Sequence, residues 1–224
     1  MEIRLLMPKK RIRLVSLWNE NGGEKMSETV IAKTSSTKKL VITGMLVAIS
    51  IILDTTPVGT IRLPTVSATI AHIPTIIGAI LCGPVVGAVV GLSFGVTSLI
   101  RNLTQPTSLL SFAFINPLVS VLPRALVGIV AYYIYYVLKK ITNDNISIAI
   151  AAAVGSITNT IGVLGMMYVI YAKELVDKFA EIGKTGKLHS ILLGIAAGNG
   201  IPEAIISLIL SFIIVKSLKR IYNN

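Results

Sequence analysis

Long apolar runs alternate with short polar ones along this chain. From Lys38 onward six segments are apolar enough to sit in a bilayer, roughly 38–54, 66–82, 84–100, 115–138, 146–171 and 189–215. About 20 residues are needed to cross the hydrocarbon, fewer where the ends reach into the interface. The pattern predicts an all-α integral membrane bundle of six transmembrane helices. Its centre is Ile73 to Ile100, two apolar runs hinged at Gly83-Pro84, with no charged residue between His72 and Arg101. Past the hinge, Gly83, Gly87, Gly91 and Gly95 recur every fourth residue and leave a bare ridge on one helix face. In hydrocarbon such a ridge lets a neighbouring helix approach closely. In a water-exposed helix each glycine would cost roughly 1 kcal/mol relative to alanine, so this face is expected to be buried in protein.

Composition sharpens that picture. Of the 224 residues 53% are hydrophobic and 14% charged, against about 25% charged in an average soluble domain; the mean hydropathy is +0.79. The formal net charge of +11 raises the question of nucleic acid, but the basic residues sit mainly at the N-terminus and beside apolar runs, where they act as topology signals. Lys33, Lys38 and Lys39 precede the first run, Lys139 and Lys140 follow the fourth, and Lys216, Lys219 and Arg220 follow the sixth. By the positive-inside rule both N- and C-termini are cytoplasmic. The segment Lys173 to Lys187, read as a loop, is assigned to the outside despite its four lysines. A single cysteine, Cys82, excludes an internal disulfide and any multi-cysteine metal site.

Residues 1–25 are basic and only patchily apolar, with no core long enough for a signal peptide, and are expected to be a leader outside the fold. Gly22-Gly23-Glu24-Lys25-Met26 can be encoded GGA-GGA-GAA-AAA-ATG, a purine-rich ribosome-binding sequence followed by a start codon. Met26 is therefore expected to be the true start, residues 26–37 a cytoplasmic segment, and 38–220 a membrane substrate-binding domain.

The loops assigned to the outside carry the chemistry. Asp54 to Pro64 joins the first and second runs and Arg101 to Ser108 the third and fourth; both hold polar groups among Pro or Gly. Within the runs polar groups are few, and such groups are costly in a membrane and point to function. Asn116-Pro117 reads as an N-cap followed by proline at the first helical position, with Ser120 and Arg124 four apart on one face. Arg124 either pairs with a helix carbonyl or Glu203, or holds a ligand carboxylate through its planar fork of donors. Asn159 is either helix-helix glue or a ligand contact. Gly198-Asn199-Gly200-Ile201-Pro202-Glu203 is expected to kink or break the last helix, with Asn199 and Glu203 sharing a face. Glu203 itself is read as half of a structural ion pair on the cytoplasmic side of midplane. His72 falls in the outer half of the second helix as a packing residue or a ligand contact. Tyr132, Tyr133, Tyr135 and Tyr136 beside Lys139-Lys140 read as an interfacial aromatic belt. There is no zinc-protease motif, nucleophile elbow, phosphate loop or acid pair in any run. The chain is expected not to be an enzyme, and to need a partner or an ion gradient for any uphill transport.

The runs Ile73-Pro74 through Gly83-Pro84-Val85-Val86-Gly87-Ala88-Val89-Val90-Gly91, and Asn116-Pro117-Leu118-Val119-Ser120-Val121-Leu122-Pro123-Arg124, resemble the substrate-specific subunits of energy-coupling factor vitamin transporters, over about Lys38 to Lys219. The resemblance implies a small six-helix protein of the bacterial cell membrane that captures a water-soluble vitamin from outside under its first and third loops. It also implies docking on a transmembrane coupling subunit that carries two ATPase subunits, so that ATP is hydrolysed by the partners and no cofactor belongs to this chain. The family's small docking residues, usually alanines four apart in the first helix, are matched by Gly44 and Ala48. The run Leu103-Thr104-Gln105-Pro106-Thr107-Ser108 with Asn116-Pro117 and Arg124 looks most like the pantothenate group, and an anionic vitamin suits Arg101 or Arg124. The expected substrate-binding residues are Arg124, Asn116, Ser120, Gln105, Arg101, Asn159, Asn199 and His72. The alternative is a proton-coupled secondary carrier using Glu203, His72 and Arg124 as a relay; six short helices without an obvious inverted repeat speak against it.

Overall fold

The structure, a computed structural model, describes residues 23–62, 67–106, 108–181, 183 and 186–223. The expected leader lies for the most part outside them. The chain divides into two compact units, Met1–Lys38 and Lys39–Asn224. In the first, the described part is the start of helix α1 (Gly23–Thr55); everything below concerns the second.

The architecture is helical with one small hairpin. After α1 come a 3-10 turn at Pro57–Gly59, strands β1 (Thr60–Arg62) and β2 (Ser67–Thr69), and helices α2 (Ile73–Cys82) and α3 (Pro84–Thr104). Then follow α4 (Ser111–Phe114), α5 (Pro117–Ser120), α6 (Leu122–Ile141), α7 (Asp144–Glu181) and α8 (Leu188–Asn223). The strands pair antiparallel, Thr60 opposite Thr69 and Arg62 opposite Ser67, and the amide of Ile70 closes the base on the carbonyl of Gly59 at 2.9 Å. Among the described residues four helices are long and apolar enough to cross a membrane: Pro84–Thr104, Pro117–Ile141, Asp144–Glu181 and Leu188–Arg220.

Several expectations are corrected. The second run is not one helix: residues 67–69 belong to the hairpin and the helix starts at Ile73. Ten residues rise about 15 Å, half of a bilayer core. The fourth run holds two successive helices, α5 and α6, because Pro117 and Pro123 each restart the helix at its first positions; α4 lies before it. Arg101 lies in the last turn of α3 rather than in a loop. Residues 173–181 are helical, beyond non-helical backbone at Tyr171 (φ −123°, ψ 28°). The predicted break at Pro202 is absent, since α8 runs through it; a proline inside a helix is tolerated in a membrane where neighbours re-satisfy the freed carbonyl.

The glycine ridge behaves as expected at three of its four positions. A Cβ on Gly91 would collide with the carbonyl oxygen of Arg124, one on Gly95 would lie 2.6 Å from the Cα of Val121, and one on Gly87 2.6 Å from the Cβ of Ala79. Gly128 in turn has no room beside the backbone of Gly87. Helices α3 and α6 therefore touch backbone to backbone, which gathers dispersion contacts that bulkier side chains would prevent. Gly83 does something else: at φ +105° it turns the chain from α2 into α3.

The bundle is apolar outside and carries polar groups within. On α8, Ile201, Ile205, Ile209 and Ile213 are exposed while Glu203, Ser207 and Ser211 are buried. This arrangement suits lipid surroundings. One apolar core joins Leu46 of α1 with Ile76, Ile77 and Ile80 of α2, Val90, Val127, Ala131, Ile148, Ala151 and Val215. A second, around Ala113, Val119, Met167, Leu175, Phe179 and Leu192, binds α4 and α5 to the far parts of α7 and α8.

Candidate functional site

Below the hairpin, side chains from several elements meet in one polar layer, and close backbone contacts set its levels. On α7, Gly155 lies against Ile76 of α2 and Ala131 of α6, and Gly162 against Pro123. Asn159 therefore sits between these two levels, one turn of α7 from Gly155. Gly200 of α8 packs on Thr160, which brings Glu203 to the same layer.

Arg124 is its centre. The residue is 5% exposed and held by three groups. Its Nη1 donates to the carbonyl of Val119 at 2.7 Å, an acceptor freed by the short α5. Its guanidinium stands over the rings of Phe94 at 5.5 Å and Phe114 at 4.9 Å, contacts worth up to about 2 kcal/mol when desolvated. The buried Nε has no hydrogen-bond partner among the described residues. A planar cation fixed on its faces and at one nitrogen, with Nε unpaired, is arranged for a carboxylate. Asp54 and Glu203 lie within electrostatic range of it.

The surroundings repeat the pattern. His72 is fully buried in the turn that opens α2, and neither ring nitrogen has a partner. Ser50 fixes that turn by donating to the carbonyl of Ala71 at 3.2 Å. Thr75 Oγ1, Ser156 Oγ, Asn159 Oδ1 and Asp54 Oδ2 are likewise buried and unpaired. Leaving one such group without a partner costs about 1–3 kcal/mol, so a concentration of them marks a place where the chain keeps hydrogen-bonding capacity for something else.

Two carboxylates flank the layer. Glu203 accepts from the backbone N–H of Thr69 at 2.9 Å and from the Thr160 hydroxyl at 3.4 Å. This corrects the expected ion pair: the hydrogen-bond partners are uncharged, and one of them is on the returning hairpin strand. Arg101 donates to the carbonyl of Asp54 at 2.6 Å and approaches its Oδ1 at 3.7 Å.

Of the eight expected substrate-binding residues, the layer gathers Arg124, His72 and Asn159, with Arg101 at its rim and Asn199 one turn of α8 from Glu203, partly exposed. Of the other three, two bond to backbone and one is exposed. Asn116 caps α5, accepting from Leu118 N–H at 2.9 Å and donating to Tyr171 at 3.2 Å; Ser120 donates to the Gly95 carbonyl at 3.2 Å; Gln105 is exposed at the end of α3. Thr75, Phe94 and Phe114 escaped sequence reading, because a threonine or phenylalanine in an apolar run carries no signal apart from its neighbours. Gly44 and Ala48 lie on an exposed face of α1, and a Cβ on Gly44 would meet nothing within 4 Å.

A helical bundle, apolar outside and built around a buried cation among unpaired polar groups, defines a multi-pass membrane protein that handles a small polar solute. The comparisons agree: the family model for the ECF transporter substrate-specific component matches residues 38–215. The chain belongs to this family, as a bacterial membrane protein and the substrate-specific component of an energy-coupling factor transporter. Over 173 residues it is 33% identical to the pantothenic acid transporter PanT of Lactococcus lactis subsp. cremoris, covering 71% of this chain and 81% of the relative. It is 31% identical over 186 residues to the pantothenate transporter PanT of Leuconostoc mesenteroides subsp. mesenteroides, covering 79% and 89%.

Proposed function

We propose that this chain captures pantothenate from outside the cell and presents it to an ATP-driven coupling module. The observation that carries the reading is Arg124, buried, held over two aromatic rings and unpaired at Nε; the names of the two relatives supply the anion. The vitamin's carboxylate pairs with Arg124, and its amides and hydroxyls meet His72, Thr75, Ser156 and Asn159. Asn116 and Ser120 support the elements around the site, Arg101 fastens its rim, and Asn199 lines the approach along α8.

In this reading α1 and the short α2 complete six membrane segments, with both termini in the cytoplasm and the hairpin on the outer side. The domain that binds the vitamin spans 38–220. Gly44 and Ala48 let a helix of the transmembrane coupling subunit pack closely on α1, and the two ATPase subunits behind it supply the energy. Calorimetric titration of the detergent-purified chain tests this: stoichiometric binding of pantothenate without ATP is expected, and absence of binding would refute it.

A further inference from the structure

We propose that Asp54 and Glu203, with the Asn159 carbonyl oxygen, are the selectivity side of the site: they read hydroxyl and amide donors on the vitamin and reject a second anionic group, so that the free vitamin is bound and its phosphate ester is not. This rests on the pantothenate reading above. Among the described side chains Arg124 is the one arginine buried in the layer, and Arg101 is already engaged by the end of α1. A single carboxylate on the ligand thus takes the available cation. Besides the hydroxyls of Thr75 and Ser156 and the His72 imidazole, which can donate or accept, the layer offers oxygens that only accept: Asp54 Oδ2 and Asn159 Oδ1 are buried without a donor, and Glu203 is a carboxylate at 8% exposure.

Glu203 is held by Thr69 N–H and the Thr160 hydroxyl, 2.9 and 3.4 Å away, and does not turn away from an incoming anion without breaking those bonds. Asp54 faces Arg101, whose Nη1 lies 3.7 Å from its Oδ1. A ligand hydroxyl or N–H relieves the unpaired acceptors. A phosphate brings acceptor oxygens and extra negative charge next to two carboxylates in a poorly screened interior, a repulsive element that discriminates between two otherwise similar ligands.

The test is parallel calorimetric titration with pantothenate and with 4′-phosphopantothenate. Wild type is expected to bind the phosphate ester about a hundredfold more weakly, and Glu203→Gln or Asp54→Asn to narrow that gap by about tenfold each. The glutamine retains an acceptor for Thr69 N–H, and pantothenate binding by each variant reports that the site is formed. Equal affinities in wild type, or neutral variants that bind pantothenate and keep the full gap, overturn the inference while the pantothenate reading stands. Failure of wild type to bind pantothenate overturns both.

Discussion

Two polar clusters lie at different heights in this bundle, and they are built on opposite terms. At the end of α6 that carries Lys139 and Lys140, Lys219 donates to both oxygens of Asp144 at 2.8 Å and to the Tyr135 hydroxyl at 2.6 Å, and Tyr135 donates to Asp144 at 2.6 Å. Lys139 adds a contact to Asp144 at 4.0 Å. Every member there has partners within the chain. In the layer around Arg124, by contrast, His72, Thr75, Ser156, Asn159, Asp54 and Arg124 each keep a buried atom without one. A satisfied network rigidifies a fold, whereas an unsatisfied one is costly unless a bound molecule completes it. The first cluster ties helices together, and the second is the one proposed to receive a ligand.

Substitutions sharpen or break this contrast. The largest effect is expected from Arg124→Ala, which removes the charged donors for the vitamin's carboxylate. Hydrogen bonds to charged groups contribute about 1.5–3 kcal/mol each, so pantothenate affinity measured by calorimetry should fall by at least about a hundredfold. Next, Gly91→Val drives a side chain into the backbone of Arg124; overpacking of this kind costs about 1–3 kcal/mol and should lower the unfolding temperature in detergent and weaken binding together. Asn116→Ala removes the cap of α5, a loss of about 1 kcal/mol, visible as a smaller thermal shift. The smallest effect belongs to the satisfied cluster: Lys219→Met should change stability by about 1 kcal/mol or less and leave pantothenate affinity within about twofold. A strong loss of binding in that variant, with the fold intact by thermal unfolding, would erase the distinction drawn between the clusters. Separately, Gly44→Leu should retain pantothenate binding and reduce co-purification with the coupling subunit, since bulk on α1 blocks close helix approach.

The apolar runs, the glycine ridge and the Asn116 cap were legible because each is a local pattern: a run length, a period of four, a dipeptide. Arg124 was legible as a charge in hydrocarbon. What escaped was long-range. The hairpin within residues 60–69 was read partly as membrane helix because alternation over three residues is too short to compete with the apolar stretch that follows. Tyr135 was read as part of an interfacial belt, yet it is buried and bonded to Asp144 and Lys219; its tyrosine neighbours give no sign of that difference. Glu203 was read as half of an ion pair because a carboxylate in an apolar run calls for a cation, whereas its uncharged hydrogen-bond partners come from distant elements. Its bond to Thr69, 134 positions away, exists only in the folded chain. The expected break at Pro202 was a local reading, and α8 continues through it.

The central claim is that Arg124 reads the ligand's carboxylate. The most direct measurement compares pantothenate with pantothenol, in which a neutral alcohol replaces the carboxylate, on wild type and on Arg124→Met. The account predicts that wild type favours pantothenate by about a hundredfold and that the preference disappears in the variant. An undiminished preference in Arg124→Met would contradict it.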